Sequence, residues 1–264
     1  MRAVILAAGR GGRLRAVLGA RPKGLAKAGD CTLVERQIRT LRACGIERIA
    51  VVAGYCAADV RQACGRGVDI VHNLRYDATN SLYSLWLASD LLRDGFIVLN
   101  GDVLFHPQLL RDLLSSRYED ALLFCPRGDH QPYGDEEMKV CVRRGLVTAI
   151  DKGLPESRAD GENVGIAKFG ATGAARLIEQ MTAIVTSGAL REWLPRAFGA
   201  FAQTRPLHAI ETRGYPWIEI DFPEDYWRAC QEVLPAIEKD ARQRVVHAAA
   251  RAAREPSRSA AHHV

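Results

Sequence analysis

The ten residues ILAAGRGGRL at positions 5–14 constrain this chain more than any other stretch. Residues 3–7 (AVILA) form a short apolar run that reads as a buried strand of a parallel sheet. The run then breaks into Gly9, Gly11 and Gly12. A strand ending this way brings bare backbone N–H groups to the sheet edge, where an anion can approach closely. Two familiar glycine motifs do not fit. A P-loop requires Lys-Ser/Thr after its last glycine, and Arg13-Leu14 stands there; a dinucleotide fingerprint requires Gly or Ala in place of Leu14 and an immediate helix. The chain instead continues into a basic loop through Arg15, Arg21 and Lys23. Residues 1–27 hold seven Lys or Arg and no acid, which favours an anionic ligand near this loop.

The pattern after the loop is rhythmic. Thr32 followed by Glu35 is a capping-box signature, and Leu33, Val34, Ile38 and Leu41 keep helical spacing until Gly45. Strands are expected at 49–54, 68–73, 96–102 and 121–125, with helices near 57–64, 81–92 and 107–116 between them. Alternation of this kind predicts right-handed crossovers and an α/β, doubly wound, mostly parallel sheet, whose ligands bind off the carboxyl ends of the strands. After residue 126 the rhythm changes. PRGDHQPYGDEE is polar and loop-like, and EMKVCVRR and LVTAIDK alternate around Arg144-Gly145, a hairpin signal. This antiparallel elaboration is expected to overhang the cleft. Further strands are expected at 163–169, 207–211 and 217–221, helices at 171–185 and 189–201, and a last helix opened by Pro223.

Composition narrows the function class. At 264 residues, 48% hydrophobic and 25% charged, the chain is an ordinary globular one, with no apolar run near the ~20 residues a bilayer span needs. The N-terminus lacks the longer apolar core of a signal peptide, so a cytoplasmic location is expected. Seven cysteines without a C-x-x-C pair point to neither a disulfide framework nor a zinc site. The net charge of +5 is concentrated in the tail: residues 241–264 carry five arginines against Glu255 alone, which leaves about +1 on the rest. The expected organisation is one domain over 1–240, with a basic tail at 241–264 that is helical and then disordered. Nucleic acid and membrane are not expected partners, and homo-oligomerisation is left open.

Taken together, LAAGRGGRL and RPKGLAKAGD resemble the nucleotidyltransferase signature L-A-A-G-x-G-x-R-[LM] followed by P-K. The chain is thereby identified with the sugar-nucleotide pyrophosphorylase family. The resemblance extends to Asp102 in NGDV and to Glu219-Ile220-Asp221. NLRYDATNSLYSLWLA resembles the small-molecule cytidylyltransferases that act on phosphocholine, inositol phosphate or phosphonates. What the resemblance implies is a Rossmann-like fold and Mg²⁺-dependent transfer of CMP from CTP to a small phosphonate or phosphate monoester, with release of pyrophosphate. The alternative it leaves is a sugar-1-phosphate nucleotidyltransferase. A glycosyl-transferring relative would show an Asp-x-Asp triplet, which this chain lacks.

The chemistry of such a reaction assigns roles. Nucleophile and leaving group are both anionic, so charge neutralisation and in-line positioning dominate. Asp102 and Asp221, at two strand ends, are the expected Mg²⁺ ligands. Arg13 suits the β- and γ-phosphates as a planar fork, and Lys23 the α-phosphate as a point charge. Leu6, Ala7, Ala8, Gly9, Gly11 and Gly12 are expected against the nucleotide, and by resemblance so are Asn80 and Ser81. Tyr83, Lys139, Lys152 and Glu219 are the candidates for the acceptor side, with core packing the other reading of Tyr83. Arg143 belongs with the two lysines there, Glu162, Asn163 and Gly165 are candidates for the far wall, and Trp193, Trp217, Tyr133 and Tyr215 are the aromatics from which a quaternary-ammonium cage could be built.

Overall fold

The computed structural model describes residues 1–128 and 136–252. Its strands are β1 (Arg2–Ala7), β2 (Lys27–Ala28), β3 (Cys31–Thr32), β4 (Ile49–Ala53), β5 (Val68–His72), β6 (Phe96–Asn100), β7 (Val103–Phe105), β8 (Ala121–Pro126), β9 (Lys139–Arg143), β10 (Leu146–Asp151), β11 (Gly161–Phe169), β12 (His208–Glu211) and β13 (Trp217–Glu219). Its helices are α1 (Arg15–Leu18), α2 (Leu33–Ala43), α3 (Ala57–Cys64), α4 (Ser81–Trp86), α5 (Pro107–Ser115), α6 (Ala171–Thr186), α7 (Leu194–Ala202), α8 (Pro223–Arg228) and α9 (Leu234–Ala252).

The apolar runs do what their composition requires. Every residue of β4 is buried, as are Ala3, Val4 and Ile5 of β1, because helices cover both sheet faces. One core layer packs Leu82, Phe169, Leu177 and Phe201 against the sheet; the other packs Val34, Ile38, Leu41 and Leu109. The nine-stranded sheet runs β5-β4-β1-β6-β11-β8-β12-β10-β9. Its first four strands are parallel, in the 3-2-1-4 order of a doubly wound fold. β11 inserts antiparallel between β6 and β8, and β12 returns parallel to β8. The doubly wound α/β fold expected from the sequence is therefore present, but the sheet is less parallel than expected, because β11, β10 and β9 pair antiparallel in its second half.

Arg144 (φ 52°) and Gly145 (φ 76°) make the tight turn between β9 and β10, as a primed hairpin turn demands. The hairpin extends the far edge of the main sheet. It reaches the cleft through its flanks, the residues before β9 and after β10.

Some local expectations are corrected. The helix expected over 81–92 stops at Trp86, where the Ser89 hydroxyl donates to the Trp86 carbonyl and a 3₁₀ turn follows. The helix expected from 189 starts at Leu194, since Pro195 is tolerated only in the first turn. β7 is a three-residue strand that local periodicity did not reveal. The tail expected from residue 241 begins inside α9, and residues 253–264 lie outside the described residues. No helix among the described residues is long and apolar enough to cross a membrane.

The capping box at the start of α2 is formed in full: Glu35 N–H donates to Thr32 Oγ1 at 3.3 Å, and Thr32 N–H donates to Glu35 Oε2 at 2.7 Å. Thr32→Ala should therefore cost about 1 kcal/mol, read as a lower urea midpoint with an unchanged m-value.

Candidate active site

A cleft of about 330 Å³ opens where β1 and β6 lie side by side and the strand order reverses. Both strands deliver their carboxyl ends to it. β1 contributes Leu6 and then Ala8, Gly9, Gly11, Gly12 and Arg13; β6 contributes Asn100 and, past a turn, Asp102.

Gly11 has φ 64°, a left-handed conformation that glycine adopts without strain. A Cβ on Gly11 would lie 2.5 Å from Lys23 Cγ, so this glycine also makes room for the lysine stem. The spacing between glycine loop and lysine thus has a steric cause. Lys23 Nζ donates to Asp102 Oδ2 at 3.3 Å and also to Asp221. Burial by itself would lower the Lys23 pKa, but Asp102 and Asp221 outweigh it and hold the ammonium above its ordinary value.

The two aspartates meet through a short antiparallel ribbon. β7 pairs with β13 in the register Val103↔Glu219, and Ile220 N–H donates to the Asp102 carbonyl at 3.0 Å. Gln37, buried on α2, donates its amide to the carbonyls of Asn100 and Val103, at 2.9 and 2.8 Å, and so pins the turn that carries Asp102. Glu219 accepts from Asn100 Nδ2 at 3.1 Å. Burial, with Asp102 and Asp221 nearby, pushes its carboxyl well above the usual range.

This donor set suits Mg²⁺. Asp102 and Asp221 present hard oxygens that converge on one ammonium, and Mg²⁺ takes one or two carboxylates together with phosphates and waters. Among the described residues no group of three or more His, Cys, Asp or Glu forms a complete cage. A two-carboxylate site that leaves coordination positions for a substrate is the form the fit takes.

Across the cleft, Lys152 follows β10 and Glu136 precedes β9. Glu136 accepts from Arg13 at 2.5 Å and from Lys152 at 2.6 Å, and these two cations pull its carboxyl down to about 2. Arg13 also lies 4.9 Å from the Phe222 ring centre, and Lys152 Nζ 4.4 Å from that of Trp193. Asn163 lines the cleft with its Oδ1 buried and without a partner among the described residues, an acceptor left for a ligand.

Most of the sequence candidates converge here: Leu6, Ala8, Gly9, Gly11, Gly12, Arg13, Lys23, Asn80, Ser81, Asp102, Lys152, Asn163, Trp193, Glu219 and Asp221 line one cleft. Others do not. Ala7 points to the opposite face of β1, against Gly24 and Gly101, as a period of two requires. Tyr83 is buried with its ring 5.5 Å from that of Trp86. Lys139 is buried, donates to the Lys152 carbonyl at 2.6 Å and is not among the residues that line the cleft. Glu162 is not part of the lining either; burial first and Glu137 second push its carboxyl up to about 7. Gly165 packs beneath Asn100, Tyr215 stacks on His106, and half-buried Trp217 packs against the core. Tyr133 lies outside the described residues.

Sequence reasoning missed Asn73, Tyr76, Thr79, Asn100, Glu136 and Met138 in the lining. Asn100 could have been found from its place beside Asp102 at the strand end. Glu136 sits in a polar stretch that carries no periodic signal.

The family described as the MobA-like NTP transferase domain matches residues 3–249. The bifunctional IPC transferase and DIPP synthase of Rubrobacter xylanophilus is 34% identical over 232 residues, 84% of this chain and 50% of that protein. The choline-phosphate cytidylyltransferase of Streptococcus pneumoniae is 34% identical over 119 residues, 45% of this chain and 52% of that one. The chain thus spans about half the length of the curated relatives it matches. The solved inositol-1-phosphate CTP transferase from T. maritima superposes with a TM-score of 0.75 at 22% identity, over 90% of this chain and 95% of that one. At that identity the likeness shows the fold, a Rossmann-like α/β arrangement.

Proposed function

Because the chain belongs to the MobA-like NTP transferase domain family, we propose that it is a Mg²⁺-dependent cytidylyltransferase. It transfers CMP from CTP to a small phosphonate or phosphate monoester. An acceptor oxygen bonds to the α-phosphorus while the bond from that phosphorus to the bridging oxygen breaks, and pyrophosphate leaves. The observation that carries this reading is the convergence of Lys23, Asp102 and Asp221 beside the glycine loop at the strand-order reversal.

The glycine loop offers backbone N–H groups to the phosphates. Arg13 meets the terminal phosphates, and Lys23 neutralises charge on the α-phosphate. Lys152, across the cleft, draws in the acceptor's anionic group. Bound by Asp102 and Asp221, Mg²⁺ would neutralise phosphate charge in the same place. The names of the relatives above support cytosine as the base and a small phosphate as the acceptor. A cytoplasmic setting belongs to the same proposal.

The test is a matrix of four nucleoside triphosphates against phosphonate, phosphocholine, inositol phosphate and hexose 1-phosphate acceptors, scored for pyrophosphate. Turnover is expected with CTP and one of the first three acceptors, and only when Mg²⁺ is present. Turnover confined to UTP with hexose 1-phosphate would replace the reading by sugar-nucleotide synthesis. Silence in every cell would end it.

A further inference from the structure

Each cation that lines the cleft is already neutralised by the protein's own carboxylates. Lys23 is held by Asp102 and Asp221, while Arg13 and Lys152, on opposite sides, share the single carboxylate of Glu136. One oxygen of Glu136 faces Arg13 and the other faces Lys152, at 2.5 and 2.6 Å. Its side chain is 28% exposed, so it can leave for solvent without unpacking the core.

What remains after it leaves is also defined. Arg13 rests on the Phe222 ring and Lys152 on the Trp193 ring. A ring face keeps a cation in place but, unlike a carboxylate, does not cancel its charge. Both cations would therefore stay positioned and become available to anions.

We propose that Glu136 is an internal anion that couples the binding of the two substrates. It occupies the places of the triphosphate's terminal oxygens at Arg13 and of the acceptor's phosphonate or phosphate at Lys152. Whichever anion enters first repels Glu136 and meets the cost of displacing it, and the second anion then finds its cation already released. The linkage is reciprocal by thermodynamic necessity. Direct repulsion between the two substrates acts with the opposite sign, so removing Glu136 leaves only that weaker, negative coupling. The inference rests on the reading of the cleft as a site for two anionic substrates.

Calorimetric titration of the intact chain in Mg²⁺ tests it, with pyrophosphate as the probe of the Arg13 side and methylphosphonate as the probe of the Lys152 side. For the wild type, saturating methylphosphonate should tighten pyrophosphate binding by about fivefold or more. Glu136→Gln should bind pyrophosphate alone more tightly than the wild type, and methylphosphonate should then leave that affinity unchanged or weaken it. Lys152→Gln keeps the contact between Glu136 and Arg13 but breaks the bridge, so it should also abolish the tightening. Tightening of wild-type size in both variants, or its absence in the wild type while each probe binds, overturns the coupling and leaves the proposed function standing. Failure of the wild type to bind either probe removes the two-anion cleft, and the coupling with it.

Discussion

Lys23→Met should lower the rate of pyrophosphate release by about 10²- to 10³-fold, the usual loss when one fixed donor to a developing charge is removed. The lysine stem lies against Gly11 and its ammonium is bound by Asp102 and Asp221. Methionine keeps the length of the stem and removes the ammonium with its charge and its donors. The same substitution leaves Asp102, Glu219 and Asp221 facing one another without a counter-ion. Breaking a fully buried pair costs about 3–5 kcal/mol; with Lys23 still 20% exposed the cost should be smaller, about 1–3 kcal/mol.

That cost has a defined pH dependence. Burial and the neighbouring carboxylates already raise the Glu219 carboxyl above its unfolded value, and loss of the ammonium, which opposes that rise, raises it further. The folded variant then holds more protons than the unfolded chain in the window above the ordinary carboxylate range. Its stability should fall as pH rises through that window and recover as pH falls. Thermal unfolding between pH 4 and 8, with and without Mg²⁺, measures both effects. Mg²⁺ should stabilise the variant more than the wild type. Wild-type turnover in Lys23→Met would remove the lysine from the chemistry.

The parts of this site that local sequence encodes were legible, and the parts that long-range pairing creates were not. The turn at Gly11, the cap at Thr32 and the hairpin turn at Arg144-Gly145 each follow from the conformational preferences of one to four adjacent residues. The place of β11 between β6 and β8 follows from which strands pair, and its run NVGIAKF reads the same wherever it is inserted. The side chains of Ala7 and Tyr83 turn to the core because the pleat of β1 and the phase of α4 direct them there. Lys139 shows the limit of alternation: the period of two fixed its side of β9, but only the folded sheet shows that its ammonium is taken up by the Lys152 carbonyl. Glu136 was invisible because its partners Arg13 and Lys152 are separated from it by 123 and 16 residues.

Asp102→Asn and Asp221→Asn should each abolish turnover, by at least about 10³-fold, because each removes a hard anionic oxygen where Mg²⁺ would be held. Neither should unfold the protein. The Asp102 backbone, whose carbonyl accepts from Ile220 N–H, and the adjoining turn held by Gln37 form bonds that an isosteric side-chain change does not touch. Relief of repulsion on Glu219 should moderate the loss of the Lys23 ion pair, leaving melting temperatures close to the wild type. The two losses should not add, because a metal missing one carboxylate is already lost to the chemistry. Activity in the double variant should therefore equal that of the weaker single variant, and calorimetry should show weakened Mn²⁺ binding in all three. A further turnover loss in the double variant equal to the product of the singles would mean that Asp102 and Asp221 serve separate steps. In that event the ribbon of β7 and β13 would bring together two independent functions, and the shared metal would have to be given up.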